Sequence, residues 1–258
     1  MMEHAVIISD CDANLPVGEV FDRLFDAIVM IASESDVVTV DNKNINNKLL
    51  NACLEFYCLN CGHKVLSNSI LDYIFELKDD NIDVWQSLSD FLDKTGGSDM
   101  KQPIMFFVDE MICNIQQHSK ADKGLLYYWY STDNDAIDIC IADNGISILG
   151  SYVEHQLYLD IVGDSDAQAV ALAKEGYSTK NLPDAENRGY GISSNINMIV
   201  NGLKGSMYML SGTALMMCQG DDKKILSMPV QTEWNGTLVF AEIPLKKPET
   251  FNFYNFIG

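Results

Sequence analysis

The sequence has few basic residues and only two arginines, Arg23 and Arg188. Seventeen lysines and arginines stand against thirty-seven aspartates and glutamates, which gives a formal net charge of −20. This balance argues against nonspecific binding to nucleic acid or to an anionic membrane. It also repels anionic small ligands at long range, so a phosphate site would need locally arranged amides, a cation or a metal.

Long hydrophobic runs are also missing. The longest are AIVMIA at 27–32 and TALMMC at 213–218, well below the roughly 18 residues that a membrane span needs, so we expect no membrane association. The first residues carry acids where a secretory signal would have a basic segment and a long apolar stretch. Seven scattered cysteines, an odd number, resemble reduced thiols. These features predict a cytoplasmic protein.

The sequence contains only one CxxC pair. Cys58, Cys61 and His63 have a spacing like that of zinc ligands, but a fourth ligand would have to come from elsewhere, for example from Cys53. We therefore favour two thiols on the last turn of a helix over a metal site.

The length of 258 residues, 47% of them hydrophobic, suits one large domain or two modest ones. Residues 1–95 alternate helical and strand-like patterns without a catalytic motif, which predicts a smaller N-terminal α/β domain of unknown role. Turn-forming residues and a proline cluster in DKTGGSDMKQP at 93–103, and we place the boundary there. We expect the aromatic tail, residues 247–258, to dock onto its own domain.

Residues 103–246 read as a second domain. A helix at 106–119 is followed by an antiparallel hairpin, LLYYWY at 125–130 and AIDICIAD at 136–143. Further along come a helix in SDAQAVALAKEG, a glycine loop that runs into a helix, and three strand-like runs, GSMYMLSG, KKILSMPVQ and GTLVFAEIPL. This order predicts a two-layer α/β sandwich with a mixed, mainly antiparallel sheet.

The helix FFVDEMICNIQQHS carries a ridge of polar residues. Glu110, Asn114 and His118 are each four residues apart, so they share one helical face. An apolar stripe that includes Met111 and Ile115 runs beside them, which puts the ridge at the edge of a core. Taken alone, this spacing fits an ordinary solvated face equally well.

Asp143 ends the predicted strand AIDICIAD, and Gly145 follows two residues later. A carboxylate at a strand end can accept a hydrogen bond from an exocyclic amine, and a glycine lets a flat ring lie close to the backbone. Alone, the Asp-Asn-Gly sequence is also typical of an ordinary turn.

Glycines also stand immediately before a predicted helix, in NRGYGI at 187–192. Backbone N–H groups at such a place can converge on an anion. Lys180, from GYSTK at 176–180, and Arg188 flank this loop, and in so acidic a chain a phosphate explains their placement better than chance. A fourth segment, NGTLVFAEIP at 235–244, places the hydroxyl of Thr237 at the start of a late strand.

In this order and spacing, the four segments resemble the N box and the three glycine boxes of the histidine-kinase-like ATPase superfamily (GHKL), which shares the Bergerat nucleotide fold. The resemblance covers about residues 103–246. Glu110, Asn114 and His118 are similar to the EAxxNAxxH pattern of anti-sigma-factor kinases and related stand-alone ATPases.

The resemblance implies a role for each matching residue. Asn114 corresponds to the asparagine that holds Mg²⁺ through its amide oxygen. Glu110 corresponds to the acid that activates water in hydrolysing members. Asp143 corresponds to the residue that binds the adenine amino group, with Gly145 leaving room for the base and Thr237 supporting the same pocket.

The resemblance implies further ATP-binding positions. His118 stands where many members carry histidine, without an assigned role. Ser147 occupies a position where members usually carry a second glycine, and we expect reduced backbone freedom there. The positions around the triphosphate are Ser178, Thr179, Lys180, Arg188, Gly189 and Gly191.

The chemistry is left open between three hypotheses. None of the four histidines is followed by an acid, which disfavours a sensor histidine kinase. The remaining readings are a regulatory Mg-ATP-binding protein that hydrolyses ATP slowly, an anti-sigma-type serine/threonine kinase, and a non-catalytic nucleotide-binding module. The resemblance implies ATP and Mg²⁺ as cofactors and a protein partner, and it leaves a homodimer open.

Overall fold

The structure is a computed structural model that describes residues 5–8, 15–34, 38–67, 69–77, 82–179 and 191–256. The chain forms two compact units. The first comprises Met1–Ile74 and Pro229–Thr232, and the second comprises Phe75–Met228 and Glu233–Gly258. The units therefore divide earlier in the chain than the predicted boundary at 93–103, because the helix before that stretch packs within the second unit.

The first unit is a small α/β unit. Three parallel strands lie in the order β1 (Ala5–Ile7), β2 (Thr39–Asp41) and β3 (Lys64–Val65). Two helices connect them, α1 (Val17–Ala32) and α2 (Lys48–Asn60). The helical patterns VFDRLFDAIVMIA at 20–32 and NKLLNACLEFYCLNC at 47–61 predict both helices, and their apolar faces are buried.

The interior of the first unit contains a charged side chain, Glu55 of α2, which is fully buried. Its Oε1 accepts hydrogen bonds from Asn42 Nδ2 at 3.0 Å, Asn51 Nδ2 at 2.8 Å and Ser69 Oγ at 3.0 Å. Its Oε2 accepts from the backbone N–H groups of Ser69 at 2.7 Å and Ile70 at 3.2 Å. Five donors therefore offset the cost of burying the carboxylate and tie α2 to the loop after β3.

The CxxC pair lies at the end of α2. Burial raises the pKa of the Cys58 thiol to about 12 and also raises the pKa of Cys61. His63 Nδ1 accepts a hydrogen bond from the backbone N–H of Val38 at 3.3 Å. Within the described residues, no group of three or more histidines, cysteines and acids could hold a metal ion. These are protonated thiols at a helix end.

The second unit is built on a large sheet, for which the described residues supply seven strands. The strands are β4 (Ile74–Glu76), β5 (Lys123–Ser131), β6 (Ala136–Asp143), β7 (Ser206–Gly212), β8 (Ala214–Gln219), β9 (Asp222–Ser227) and β10 (Trp234–Pro244). They lie in the order β4-β5-β6-β10-β7-β8-β9. All pairs from β5 to β9 are antiparallel, and β10 lies between β6 and β7.

A helical layer packs on this sheet, which gives the α/β sandwich that the sequence predicts. The sheet's aromatic side chains also pack on one another, with Trp129 stacked on Phe240 at 5.9 Å. The helices are α3 (Ile82–Lys94), α4 (Lys101–His118), α5 (Ile148–His155), α6 (Leu159–Val162), α7 (Asp166–Lys174) and α8 (Ile192–Ile196), which continues into a π-helical turn, Asn197–Gly202.

Several elements match the sequence expectations, and two points differ. The hairpin of β5 and β6 and the helix α7 are present as predicted. Strand β8 lies in the apolar run TALMMC, which the sequence did not distinguish as a strand. The alternation of apolar and polar residues in AIDICIAD predicts a strand with one apolar face, but in β6 Asp138 is buried with its neighbours, so both faces of the strand are covered.

The tail packs against its own unit, as expected. Phe253 contacts Phe106 of α4 edge to face at 5.4 Å, and Phe251 stacks on Phe256 at 5.5 Å. In the part of the chain that the structure describes, no helix combines the length and the apolar character needed to cross a membrane.

Candidate functional site

A cavity of about 380 Å³ opens in the second unit between the helical layer and the sheet. Its volume lies in the range of about 300–1,000 Å³ that is typical of small-molecule sites. Most of its surface is apolar, with a few polar groups from separate elements. The apolar side chains include Met111, Ile115, Ile141, Ile146, Ile148, Tyr152, Met209 and Val239.

The cavity brings together most of the residues that the sequence singled out. They come from α4, from the end of β6, from the stretch after α7, from the start of α8 and from β10. These residues are Glu110, Asn114, His118, Asp143, Ser178, Thr179, Gly191 and Thr237. Lys180, Arg188 and Gly189 lie outside the described residues.

The polar ridge of α4 faces this cavity. Glu110, Asn114 and His118 all line it and are half-buried, while Met111 and Ile115 beside them are buried. The ridge is therefore the lining of a cavity and not an open solvated face.

Gly191 approaches the α4 ridge at Asn114. A Cβ placed on Gly191 would lie 3.7 Å from Asn114 Nδ2, so the backbone of Gly191, immediately before α8, lies against this amide. Both residues line the cavity, which puts the Asn114 amide and the backbone of Gly191 on the same wall.

Asp143 lies at the end of β6 with only 1% of its surface exposed. Its Oδ1 accepts the backbone N–H of Gly145 at 2.8 Å, and its Oδ2 accepts the backbone N–H of Thr237 at 3.1 Å. These two hydrogen bonds hold the Asp143 carboxylate between the turn after β6 and the Thr237 backbone of β10.

Burial raises the pKa of Asp143 from its ordinary value of 3.8 to about 7. Desolvation is the largest cause, and it outweighs the hydrogen bonds from Gly145, Thr237 and Ser119, which lower the pKa. A carboxylate that is short of solvation gains from an additional donor. An exocyclic amine placed in this cavity would be such a donor.

Gly145 does not line the cavity, so its place differs from the expected one beside a bound ring. A Cβ on Gly145 would overlap the carbonyl group of Ser119, and Ile146 N donates to that same carbonyl oxygen at 2.6 Å. The glycine is required because the turn after β6 packs against the end of α4.

Ser147 is the position at which the resemblance leads us to expect reduced backbone freedom. Its φ of −67° is ordinary extended backbone, so the conformation does not need glycine. The Ser147 side chain caps α5 by accepting the N–H of Gly150 at 3.1 Å. The serine thus gives α5 a fixed start at the cavity.

His118 belongs to a chain of polar contacts beside the cavity. Its Nδ1 lies 2.8 Å from Thr179 Oγ1, which lies 3.2 Å from Ser151 Oγ. His155 Nδ1 contacts the carbonyl of Ser151 at 2.9 Å, and the two imidazole rings are 6.3 Å apart. His118 therefore connects α4 to the stretch after α7 and to α5.

Sequence reasoning missed several residues that shape the site. Ser211, at the end of β7, is fully buried, and its Oγ lies 3.0 Å from Thr237 Oγ1. Tyr152 lines the cavity and donates its hydroxyl to the Tyr177 carbonyl at 2.7 Å. A single serine or tyrosine carries no spacing signal, so only the pairing of strands and helices could find these residues.

The described lining residues include acids and amides but no lysine or arginine. No protein-family model matches the chain, and no curated protein matches it in sequence.

Proposed function

We propose that this chain is a regulatory Mg-ATP-binding protein of the histidine-kinase-like ATPase type that hydrolyses ATP slowly. The observation that carries the proposal is the convergence of four sequence segments on one cavity. Asn114, Asp143, Gly191 and Thr237 are far apart in the chain, yet all line the same 380 Å³ space. Chance turn formers and solvated faces do not account for this convergence.

The residues present suit a magnesium nucleotide. Mg²⁺ is usually held by one or two protein groups together with substrate phosphates and waters. Among the described residues that line the cavity, the amide of Asn114 supplies an oxygen of the kind that such an ion takes from the protein. When bound, the ion would neutralise phosphate charge in an acidic protein.

The remaining residues of the cavity would contact the base or act on the attacking water. Asp143 accepts a hydrogen bond from the exocyclic amine of the base, and the apolar side chains from β6, β7 and β10 exclude water around the ring. Glu110, on the same helical face as Asn114, is placed to take a proton from an attacking water. No disulfide joins the described cysteines, and a cytoplasmic location is part of this proposal.

Incubation of the purified protein with γ-labelled ATP and Mg²⁺ tests the proposal. We expect slow release of labelled phosphate without any partner. Label on a co-purified protein would instead indicate a serine/threonine kinase, in which Glu110 deprotonates a hydroxyl group of the partner. Binding without turnover would indicate a non-catalytic module.

Glu110 and Asn114 are expected to have separable roles. Glu110→Ala should retain Mg-ATP affinity within about threefold and slow turnover by at least about 100-fold, the usual size of a general-base contribution. Asn114→Ala should lose Mg-ATP binding itself. Calorimetry and phosphate release on both variants check this, and equal loss of binding in the two variants would remove Glu110 from the role of base.

A further inference from the structure

The carboxylate of Asp166, at the start of α7, makes three hydrogen bonds that connect separate elements. Its Oδ2 accepts the backbone N–H of Thr213 at 2.9 Å and the Thr213 hydroxyl at 3.0 Å. Its Oδ1 accepts the hydroxyl of Ser147 at 3.2 Å. Asp166 thus joins α7 to the turn between β7 and β8 and to the cap of α5.

The turn between β7 and β8 is shaped to receive this carboxylate. Gly212 has a φ of +57°, which favours glycine, and a Cβ at this position would overlap the carboxylate of Asp166. The turn therefore has no room for a side chain at the point where Asp166 enters.

A path of hydrogen bonds leads from this carboxylate towards the base-binding end of the cavity. Next to Ser147, the backbone N–H of Ile148 donates to Ser211 Oγ at 2.9 Å. Ser211 Oγ lies 3.0 Å from Thr237 Oγ1. Thr237 N in turn donates to Asp143 Oδ2 at 3.1 Å. Ser147 and Ile148 line the cavity, whereas Asp166 does not touch it.

We propose that Asp166 is a positioning residue for the nucleotide cavity, which holds Ser147 and Thr213 together and thereby fixes the start of α5 opposite Asp143. Because a charged acceptor gives stronger hydrogen bonds than a neutral one, three bonds to one carboxylate restrain this side of the cavity firmly. The proposal rests on the proposed function for its nucleotide readout, but its structural part can be measured without nucleotide.

Three variants of the full chain test the role. Asp166→Asn keeps the size of the side chain but replaces one acceptor oxygen with a donor, so the carboxylate can no longer accept all three bonds. Ser147→Ala breaks the link from the other side without changing charge. Asp164→Asn is the matched control, because Asp164 is exposed and lies two residues before Asp166, in the turn that precedes α7.

Two measurements are made on each variant: the Mg-ATP dissociation constant by calorimetry, and the titration of the Asp143 carboxyl by carbon NMR without nucleotide. We expect Asp166→Asn and Ser147→Ala each to weaken binding about tenfold, and the double variant to be no weaker than either single one. In both variants the pKa of Asp143 should fall from about 7, since a loosened α5 admits water. Asp164→Asn should match the wild type.

Wild-type affinity and an unchanged Asp143 titration in Asp166→Asn would overturn the proposal, and so would strictly additive effects of the two substitutions. Should Asp166→Asn fail to fold, Thr213→Val removes the hydroxyl that Asp166 accepts at 3.0 Å, leaves the Ser147 cap on Gly150 in place, and is expected to change both measurements in the same direction. If the wild-type protein has no affinity for Mg-ATP, that result overturns the proposed function but leaves the positioning role of Asp166 to be tested. The Asp143 titration would still decide whether Asp166 positions this side of the cavity.

Discussion

At Asp143, burial in the protein opposes ionisation of the side chain. Its carboxylate is fully buried, yet it receives only a few donors, so the protonated form is favoured up to about pH 7. The folded protein therefore binds a proton more tightly than the unfolded chain does. Without a ligand, ionisation of Asp143 destabilises the folded protein. A ligand that donates a hydrogen bond to the Asp143 carboxylate offsets this destabilisation.

The stability of the second unit should depend on the protonation of Asp143. The pKa of Asp143 is about 7 in the folded protein and 3.8 ordinarily. The stability that protonated Asp143 contributes is therefore fully present below pH 3.8 and is lost as the pH rises through 7. Relative to Asp143→Asn, the wild type should lose unfolding free energy between pH 5 and pH 8, by at most about 3 kcal/mol, because only the part of the pKa shift above pH 5 contributes in this window. Urea unfolding followed by tryptophan fluorescence measures this, and a difference that does not change with pH would contradict the burial argument.

Nucleotide binding should show the opposite dependence on pH. Since the amine of the base needs an acceptor, Mg-ATP affinity should weaken as the pH falls below 7 and Asp143 becomes protonated. Asp143→Asn serves as the reference, because it retains the titration of the nucleotide's own phosphates. Equal pH dependence in the two proteins would show that Asp143 does not contact the base.

At the scale of single elements, α2 depends on one buried carboxylate. Glu55→Ala would leave five donors from four residues without their acceptor, and we expect it to destabilise the first unit by about 3–5 kcal/mol. Glu19→Ala is the matched control, since Glu19 is exposed on α1 and should change stability by less than about 0.5 kcal/mol. Amide hydrogen exchange of α2 measures both, and equal protection in the two variants would contradict the account.

Some of these elements could be predicted from the sequence, and some features of the site could not. Helix α4 was predictable because its polar ridge repeats every four residues beside an apolar stripe, and the hairpin of β5 and β6 because a polar turn separates two strand-like runs. The position of Gly145 could not be predicted, because the need for a glycine there comes from the Ser119 carbonyl on another element. The link from Asp166 to Ser147 joins residues across α5 and α6, and no local pattern encodes it.

At the scale of the whole molecule, the net charge of −20 should govern how an anionic nucleotide approaches. Salt screens this repulsion over about 10 Å at 0.1 M, so the association rate of Mg-ATP should increase with ionic strength. Adenosine, which carries no charge, should bind at a rate that salt leaves unchanged. Stopped-flow measurements compare the two, and a rate for Mg-ATP that falls with salt would indicate a locally positive entrance to the cavity.

The most direct test of the account is calorimetric titration of the purified protein with ATP at pH 8 in the presence of Mg²⁺. We predict saturable binding at one site, which is lost in Asn114→Ala and on removal of Mg²⁺. Absence of binding by the wild type, or undiminished binding by Asn114→Ala, would contradict the claim that this cavity holds a magnesium nucleotide.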